Sequence, residues 1–284
     1  MKEPAAKERT VKEQTVNEQT GFSDVDASGR VRELVDYLTL TAGHVTEIRR
    51  KGYEMLRLKP GAAVLDVGCG AGEVCVELAA RVGPTGHVAG IDLSAAMVDA
   101  ARAAATASGH AIDLRVGSAY ALPFADGDFD AVRCERVFQH LDDPEAALRE
   151  ILRVTRSGGR VMVLDPDHGQ AGLGLDLPTH HRVYRAIQRQ LVQMIVNPHS
   201  GTRLRGMLVR AGLVDVSVAG FVLELEQPAY VKMFFVGERL AKAVAAGDIT
   251  DEESSNFLAA LEERHRAGTF YGNAVGYSVA GTKR

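Results

Sequence analysis

A glycine-rich turn after an apolar segment constrains this chain more than any other feature. Ala63–Val67 is a short run of apolar and β-branched residues, which is typical of a strand covered on both faces. Gly68, Gly70 and Gly72 follow at a spacing of two residues. Glycine tolerates positive φ angles and lets a ligand approach the backbone, because no Cβ intervenes. The pattern predicts a strand, a tight turn and a helix whose first N–H groups face that turn.

A second apolar segment ends in a carboxylate. Asp92 closes this predicted strand twenty residues after Gly72, where it can accept hydrogen bonds from ribose hydroxyls. The turn reads G-x-G-x-G rather than the dinucleotide fingerprint G-x-G-x-x-G, and Asp66 precedes its first glycine by two residues. A carboxylate there would repel a pyrophosphate but suits a cationic ligand. The layout favours S-adenosylmethionine, which carries a sulfonium and an ammonium.

Four segments together resemble the successive motifs of one enzyme family. They are VLDVGCGAG, GIDLSAAMVDAAR, VGSAYALPFADGDFDAV and FQHLDDPEAALREILRVTRSGGRVMV. They are similar to motifs of class I S-adenosylmethionine-dependent methyltransferases of the small-molecule type, which includes ubiquinone/menaquinone and natural-product enzymes. The resemblance is close over about residues 58–164. It implies an α/β fold with a doubly wound, Rossmann-like, seven-stranded and mostly parallel sheet, an antiparallel last strand, N-terminal helices and helical cap insertions.

Three parts are expected along the chain. Residues 1–20 contain the near repeat KERTV, KEQTV, NEQT without an apolar face, so we expect a disordered tail. Residues 21–57 are predicted to form an N-terminal helical lid. Residues 58–284 are predicted to form the cofactor-binding domain, with cap insertions at about 169–200 and 227–268.

The insertions carry helical patterns of their own. Apolar residues recur every four positions over about 178–196, which predicts an amphipathic helix that covers the pocket. One helix is predicted over about 228–246 and another over about 251–267, where Thr250 and Glu253 form a capping box. The last strand is expected over about 270–280.

The resemblance also implies a set of cofactor contacts at the strand ends. Family members usually have an aspartate at the position of Ser118, and a hydroxyl can still accept a hydrogen bond from the adenine amino group. The expected cofactor-binding residues are Asp66, Gly68, Cys69, Gly70, Asp92, Leu93, Met97, Ser118, Ala119 and Glu135.

Candidate substrate and catalytic residues follow the fourth and fifth strands. Open α/β sheets bind ligands at the carboxyl ends of their strands. Methyl transfer mainly requires orientation of the reactants, and a base is needed only when the nucleophile must lose a proton. His168 and His140 are the candidate bases, and Asp165 is either the orienting partner of His168 or a pocket acid. The predicted substrate-pocket residues are Tyr37, Arg136, Phe138 and His168.

Alternatives to methyl transfer stay open. The same fold can serve a cyclase or a binding scaffold that keeps the methyl group on the cofactor. A nicotinamide oxidoreductase is disfavoured, because the chain lacks both G-x-G-x-x-G and a Tyr-x-x-x-Lys pair. Asp165, Asp167 and His168 could hold a divalent metal, but no further ligand pattern supports this and no metal is predicted.

Composition limits the partners. The net charge of −4 over 284 residues suggests neither nucleic acid nor a membrane surface as a partner. No apolar run is long enough to span a bilayer, and the amino terminus is polar. Cys69, Cys75 and Cys134 are read as reduced thiols of a cytoplasmic protein. The expected partner is a small, fairly apolar metabolite methylated on oxygen, nitrogen or carbon, as in secondary metabolism, and a homo-oligomer remains open.

Overall fold

A mostly parallel sheet forms the centre of the fold in the computed structural model, which describes residue 26 and residues 46–284. The strands are β1 (Ala63–Val67), β2 (His87–Asp92), β3 (Asp113–Val116), β4 (Phe129–Glu135), β5 (Thr155–Pro166), β6 (Gly172–Leu173), β7 (Val214–Leu225) and β8 (Gly272–Thr282). The helices of the described part are α1 (Thr46–Leu56), α2 (Glu73–Val82), α3 (Ala95–Ser108), α4 (Pro144–Val154), α5 (Pro178–Met194), α6 (Ser200–Arg210), α7 (Gln227–Met233), α8 (Val236–Ala245) and α9 (Asp251–Arg266).

The strand order creates a ligand-binding edge. Strands pair in the order β3-β2-β1-β4-β5-β8, and β8 also pairs with β7 and β6. Pairing is parallel from β3 to β5 and antiparallel at β8. The chain winds outward from β1 to β3, then returns to β4 on the other side of β1. The carboxyl ends of β1 and β4 therefore flank the switch point where such sheets bind ligands.

Apolar side chains cover both faces of the sheet. On one face, Leu56 of α1 and Leu78 of α2 pack in a buried cluster. On the other, Ile151 of α4 and Leu208 of α6 pack against the central strands. Covering both faces explains why β1 reads as a nearly continuous apolar run rather than an alternating one.

The cap insertions build a separate apolar cluster. Helices α5, α7, α8 and α9 contribute Ile187, Tyr230, Leu240 and Phe257 to it, all buried. Helix α9 begins at the expected capping box, in which Thr250 accepts from the Glu253 amide and Glu253 accepts from the Thr250 amide. The cap therefore has its own core, which allows it to hold a wall of the pocket in place.

The predicted fold class is confirmed, with local corrections. The helix expected over about 228–246 is two helices, because Phe235 adopts a left-handed φ of 47° between α7 and α8. The two-residue β6 adds an eighth strand beside β8. The predicted tail, most of the predicted lid up to residue 45 and Tyr37 lie outside the described residues. The proposed domain boundaries stay a prediction.

Candidate active site

The glycine turn after β1 adopts the conformations that its sequence predicts. Gly68, Gly70 and Gly72 have φ angles of 76°, 52° and 82°. The amides of Gly68 and Cys69 both donate to the carbonyl of Ile91, at 2.7 and 3.0 Å. A Cβ on Gly68 would lie 2.2 Å from a methyl group of Val137. The turn thus needs glycine both for its backbone angles and for its close packing against the chain after β4.

Asp92 ties the end of β2 to the glycine turn. Its carboxylate accepts from the Gly70 amide at 2.9 Å and from the Ser94 amide at 3.0 Å. Burial raises the pKa of Asp92, and these two amides oppose the shift. A carboxylate has about four acceptor positions, so two remain for ribose hydroxyls. Leu93 follows with most of its side chain exposed, at the mouth of the cavity.

The neighbouring wall suits a flat ring. Met97, almost fully buried in α3, lines it together with Ser118 and Ala119. The hydroxyl of Ser94 caps α3 by accepting from the Met97 amide, and it donates to the carboxylate of Asp26. Asp26 also accepts from the amides that begin α3. Asp26 therefore contacts the start of α3 directly beside the predicted ribose position.

Asp66 is not an isolated carboxylate. Asp66 of β1 lies opposite Arg133 of β4, and an Nη atom of Arg133 is 2.9 Å from its carboxylate. Both side chains are only 2% exposed. Burial raises the pKa of Asp66, and Arg133 opposes this shift. The expectation that an uncompensated carboxylate selects a cationic ligand is therefore incomplete, because a buried arginine already balances Asp66.

Glu135 extends this pair into a network of alternating charges. Its carboxylate accepts a hydrogen bond from Arg133, and it lies 3.8 Å from Nε of Arg49 and 3.6 Å from Nε of Arg136. Arg136 has a φ of 58°, a strained conformation for a non-glycine residue. Glu135, Arg136 and Arg49 all line the cavity. The floor of the site is thus a network of ion pairs, in which the carboxylates of Asp66 and Glu135 face three guanidinium groups.

One cavity of about 540 Å³ joins the glycine turn to the cap. Its cofactor end is lined by the turn and the ends of β1, β2 and β4. Its other end lies under the cap and is mostly apolar, apart from Arg239 of α8. The apolar cap wall consists of the cap residues Ala171, Leu191, Ile195, Met233, Phe234 and Phe235, together with Phe221 and Leu223 of β7 and Ala274 and Val275 of β8.

His168 and His140 meet at this cavity as neutral imidazoles. Burial lowers the pKa of His168 to about 3, and the nearby charges of His140 and Arg239 add to the shift. Burial and Arg136 lower the pKa of His140 to about 4. An efficient general base has a pKa near the working pH. Both histidines are therefore better suited to hydrogen bonding than to general-base catalysis. His168 pairs with Gln139, with 2.7 Å between Nε2 of the imidazole and Oε1 of the amide.

Asp165 is placed differently from the prediction. It is fully buried and accepts from the hydroxyl of Ser200, not from His168. Burial raises the pKa of Asp165 to about 7. The carboxylate of Asp167 is held by His199 and Thr202. Asp165 as orienting partner or pocket acid is thus wrong, and the described residues contain no group of three or more potential ligands that could hold a metal.

Phe138 is also misplaced by the prediction. It is fully buried in the apolar cluster beneath the sheet, on the face that carries α4, and it does not line the cavity. The neighbouring residues Val137 and Gln139 line it instead. The reason is a short 3-10 turn over Phe138–His140, which directs Phe138 into the buried cluster while Gln139 and His140 line the cavity. Cys69, Cys75 and Cys134 are free and buried.

Sequence reasoning missed several cavity residues. Arg133 carried a readable signal, because a charged residue stands between the apolar residues Val132 and Cys134 inside β4. Arg49 and Arg239 had no such signal, since each reaches the cavity from a helix outside the recognised motifs, α1 and α8. Gln139 had none either, because its pairing with His168 joins two segments that are 29 residues apart in sequence.

Comparisons with known proteins agree with this geometry. Residues 65–163 match the family model described as a methyltransferase domain. An uncharacterized 37.1 kDa protein in transposon TN4556 of Streptomyces fradiae is 34% identical over 228 residues, which is 80% of this chain and 64% of that protein. A demethylmenaquinone methyltransferase of Desulfitobacterium hafniense is 36% identical over 119 residues, which is 41% of this chain and 47% of that enzyme. The chain thus spans less than two thirds of these relatives.

A solved structure extends the likeness to the fold. The YcgJ protein of Bacillus subtilis superposes with a TM-score of 0.58 at 20% identity, over 81% of this chain and 95% of that chain. At this identity the match speaks for the architecture alone. Within the described part of the chain, no helix has the length and apolar character needed to cross a membrane.

Proposed function

We propose that the chain transfers a methyl group from S-adenosylmethionine to a small, fairly apolar metabolite. The match of residues 65–163 to a methyltransferase-domain model and the identity to a demethylmenaquinone methyltransferase support this. The observation that carries the proposal is the continuous cavity, which runs from the glycine turn to the apolar cap wall. A donor at one end and an acceptor at the other would meet near the ends of β4 and β5.

The chain's own residues have mainly to orient two reactants. The acceptor's lone pair forms a bond to the methyl carbon while the carbon–sulfur bond breaks toward sulfur, which leaves a neutral thioether. Holding the reactants in line is worth several kcal/mol of the barrier in such reactions. As the bond forms, the positive charge passes from sulfur to the acceptor, and it is lost when the acceptor's proton leaves to water.

The cofactor part is tested by titrating S-adenosylmethionine and S-adenosylhomocysteine into the protein in a calorimeter. We expect Asp92→Ala to weaken binding by about 1.5–3 kcal/mol, as for a lost hydrogen bond to a charged group. Asp99→Ala is the matched control, because Asp99 is exposed on α3 and, among the described residues, pairs with Arg102 on the same helix. Unchanged affinity in Asp92→Ala would remove that residue from the cofactor site.

The transfer part is tested by following S-adenosylhomocysteine while candidate acceptors with apolar bodies are supplied. Product formation with stoichiometric S-adenosylhomocysteine supports methyl transfer. Conversion of an acceptor without it would instead identify a cyclase of the same fold. The acceptor atom, the place in secondary metabolism and a homo-oligomeric state stay predictions that this experiment and a sedimentation measurement address.

A further inference from the structure

The amide of Gln139 has one orientation that its neighbours allow. Gln139 is 6% exposed, and its Nε2 donates to the carbonyl oxygen of Arg136 at 3.0 Å. A flipped amide would bring two carbonyl oxygens together, so the NH₂ group must face Arg136. The Oε1 atom of Gln139 is therefore the group that meets His168.

This orientation determines the tautomer of His168. Oε1 can only accept, so Nε2 of the imidazole must donate across the 2.7 Å contact. A neutral imidazole has a single ring proton, and here that proton is on Nε2. Nδ1 then carries the lone pair, and no described residue forms a hydrogen bond to it. Since His168 lines the cavity, Nδ1 is the nitrogen that a bound molecule can use.

The pair is held on a rigid support. Asn197 donates its backbone amide to the carbonyl of Gln139, and its side chain donates to the carbonyls of Phe138 and Leu141. The amide of His168 donates to the carbonyl of Pro198. One short segment, residues 197–198, thus anchors both members of the pair. Such an arrangement keeps a side chain in one geometry at little entropic cost during binding.

We propose that Gln139 is a positioning residue that locks His168 with its proton on Nε2, so that Nδ1 accepts a hydrogen bond from a hydroxyl or N–H group on the substrate. The substrate class is therefore an apolar molecule whose methyl acceptor is, or adjoins, such a donor group. As the acceptor oxygen or nitrogen bonds the methyl carbon, its proton becomes more acidic and leaves to water, while the hydrogen bond to Nδ1 keeps the acceptor in line. The substrate part of this inference rests on the proposed function, whereas the tautomer does not.

The tautomer is tested first, by nitrogen NMR of the whole protein labelled with ¹⁵N-histidine. The resonances of His168 are those that vanish in His168→Asn. We expect a protonated Nε2 and an unprotonated Nδ1 in the native protein. In Gln139→Leu we expect a mixture of tautomers, whereas Gln139→Glu keeps the Nε2 proton because a carboxylate also accepts. A native proton on Nδ1, or an unchanged spectrum in Gln139→Leu, overturns the proposal whether or not the chain transfers methyl groups.

The substrate part is tested by two replacements of the imidazole. The amide of asparagine lies near the position of Nδ1, and the amide of glutamine lies near that of Nε2. With an acceptor identified by S-adenosylhomocysteine release, His168→Asn should retain more turnover than His168→Gln. Gln139→Leu should lower kcat about tenfold, as for a lost hydrogen bond, and leave cofactor affinity unchanged.

A matched control separates positioning from packing. Gln188 of α5 is another half-buried glutamine whose amide bonds Tyr184 and the carbonyl of Ala171, away from His168. Gln188→Leu should change neither the His168 spectrum nor kcat by this amount. Equal turnover of His168→Asn and His168→Gln would overturn the role of Nδ1 toward the substrate while leaving the NMR result as the test of the tautomer.

Discussion

The two ends of the cavity are built in different ways. The cofactor end consists largely of backbone groups from neighbouring residues: the glycine turn, the end of β2 and the amide that begins α3. The cap end consists of side chains that arrive from α5, α7, α8 and β8, more than a hundred residues along the chain. A site built from backbone groups can change its ligand specificity little by substitution, because the backbone is the same for every residue. A wall built from side chains can be altered by substitution without disturbing the sheet.

A third element joins the two ends. The network of Asp66, Arg133 and Glu135 lies under both, at the switch point between β1 and β4. A buried ion pair is expensive to break, because the partner left behind is a desolvated charge. The comparison therefore predicts three different outcomes. Substitutions in this network should lower the stability of the whole fold. A substitution at Asp165 should change how stability depends on pH, and a substitution in the glycine turn should mainly weaken cofactor binding.

The largest effect is expected from Arg133→Met. Two buried carboxylates would lose their common partner, so the free energy of unfolding should fall by about 3–5 kcal/mol in urea denaturation. The double variant Asp66→Asn with Arg133→Met should recover much of this loss, because it removes a charge together with its counter-ion. Arg102→Met, which breaks an exposed pair with Asp99, should cost less than about 1 kcal/mol. Equal losses in the two arginine variants would contradict the buried network.

An intermediate effect is expected from Asp165→Asn, and it should depend on pH. The pKa of Asp165 is about 7 in the folded chain and near the ordinary aspartate value of 3.8 when unfolded. A raised pKa contributes stability below pH 3.8 that is lost as the pH rises through about 7. The variant lacks this loss. Its free energy of unfolding, relative to that of the native chain, should therefore rise by about a few kcal/mol as the pH increases across this window. Parallel stability curves from pH 4 to pH 8 would refute the assignment.

The smallest effect on stability, but the most local one, is expected from Gly68→Ala. A left-handed residue other than glycine costs about 1–2 kcal/mol, and here the new methyl group also meets Val137. Gly109→Ala is the matched control, since Gly109 is left-handed with a φ of 72° and no atom lies within 4 Å of the added Cβ. Both should lower the melting temperature, and only Gly68→Ala should also weaken cofactor binding. Loss of binding in both would show that backbone strain alone, not contact at the turn, is responsible.

Most of the fold could be predicted from the sequence. The bounds of β1 agree with the apolar run that predicted it, and the capping box of α9 is present. These features depend on local spacing, which the sequence shows directly. The match of residues 65–163 to a methyltransferase-domain model agrees with the resemblance on which the family was predicted. The cofactor itself belongs to the proposed function. The individual cofactor contacts stay predictions.

Fewer residues at the substrate end of the cavity could be placed correctly from the sequence. Phe138 and Asp165 were placed in the pocket because they follow strand ends, yet both are buried elsewhere. A strand end determines that a residue lies near the ligand edge, but a single 3-10 turn determines which side chains face inward. The break at Phe235 that separates α7 from α8 is a backbone choice made by packing, and nothing in its local sequence requires it.

The sequence by itself determined the strand–turn–helix unit, the acidic end of β2 and the order of the later elements, because each follows from residues that are neighbours in the chain. Only the tertiary structure decided that Asp66 is balanced by Arg133, that Gln139 orients His168, and that the cap supplies an apolar wall. Those contacts join residues separated by 29 or 67 positions. Their energies depend on burial and geometry, which a linear sequence does not contain.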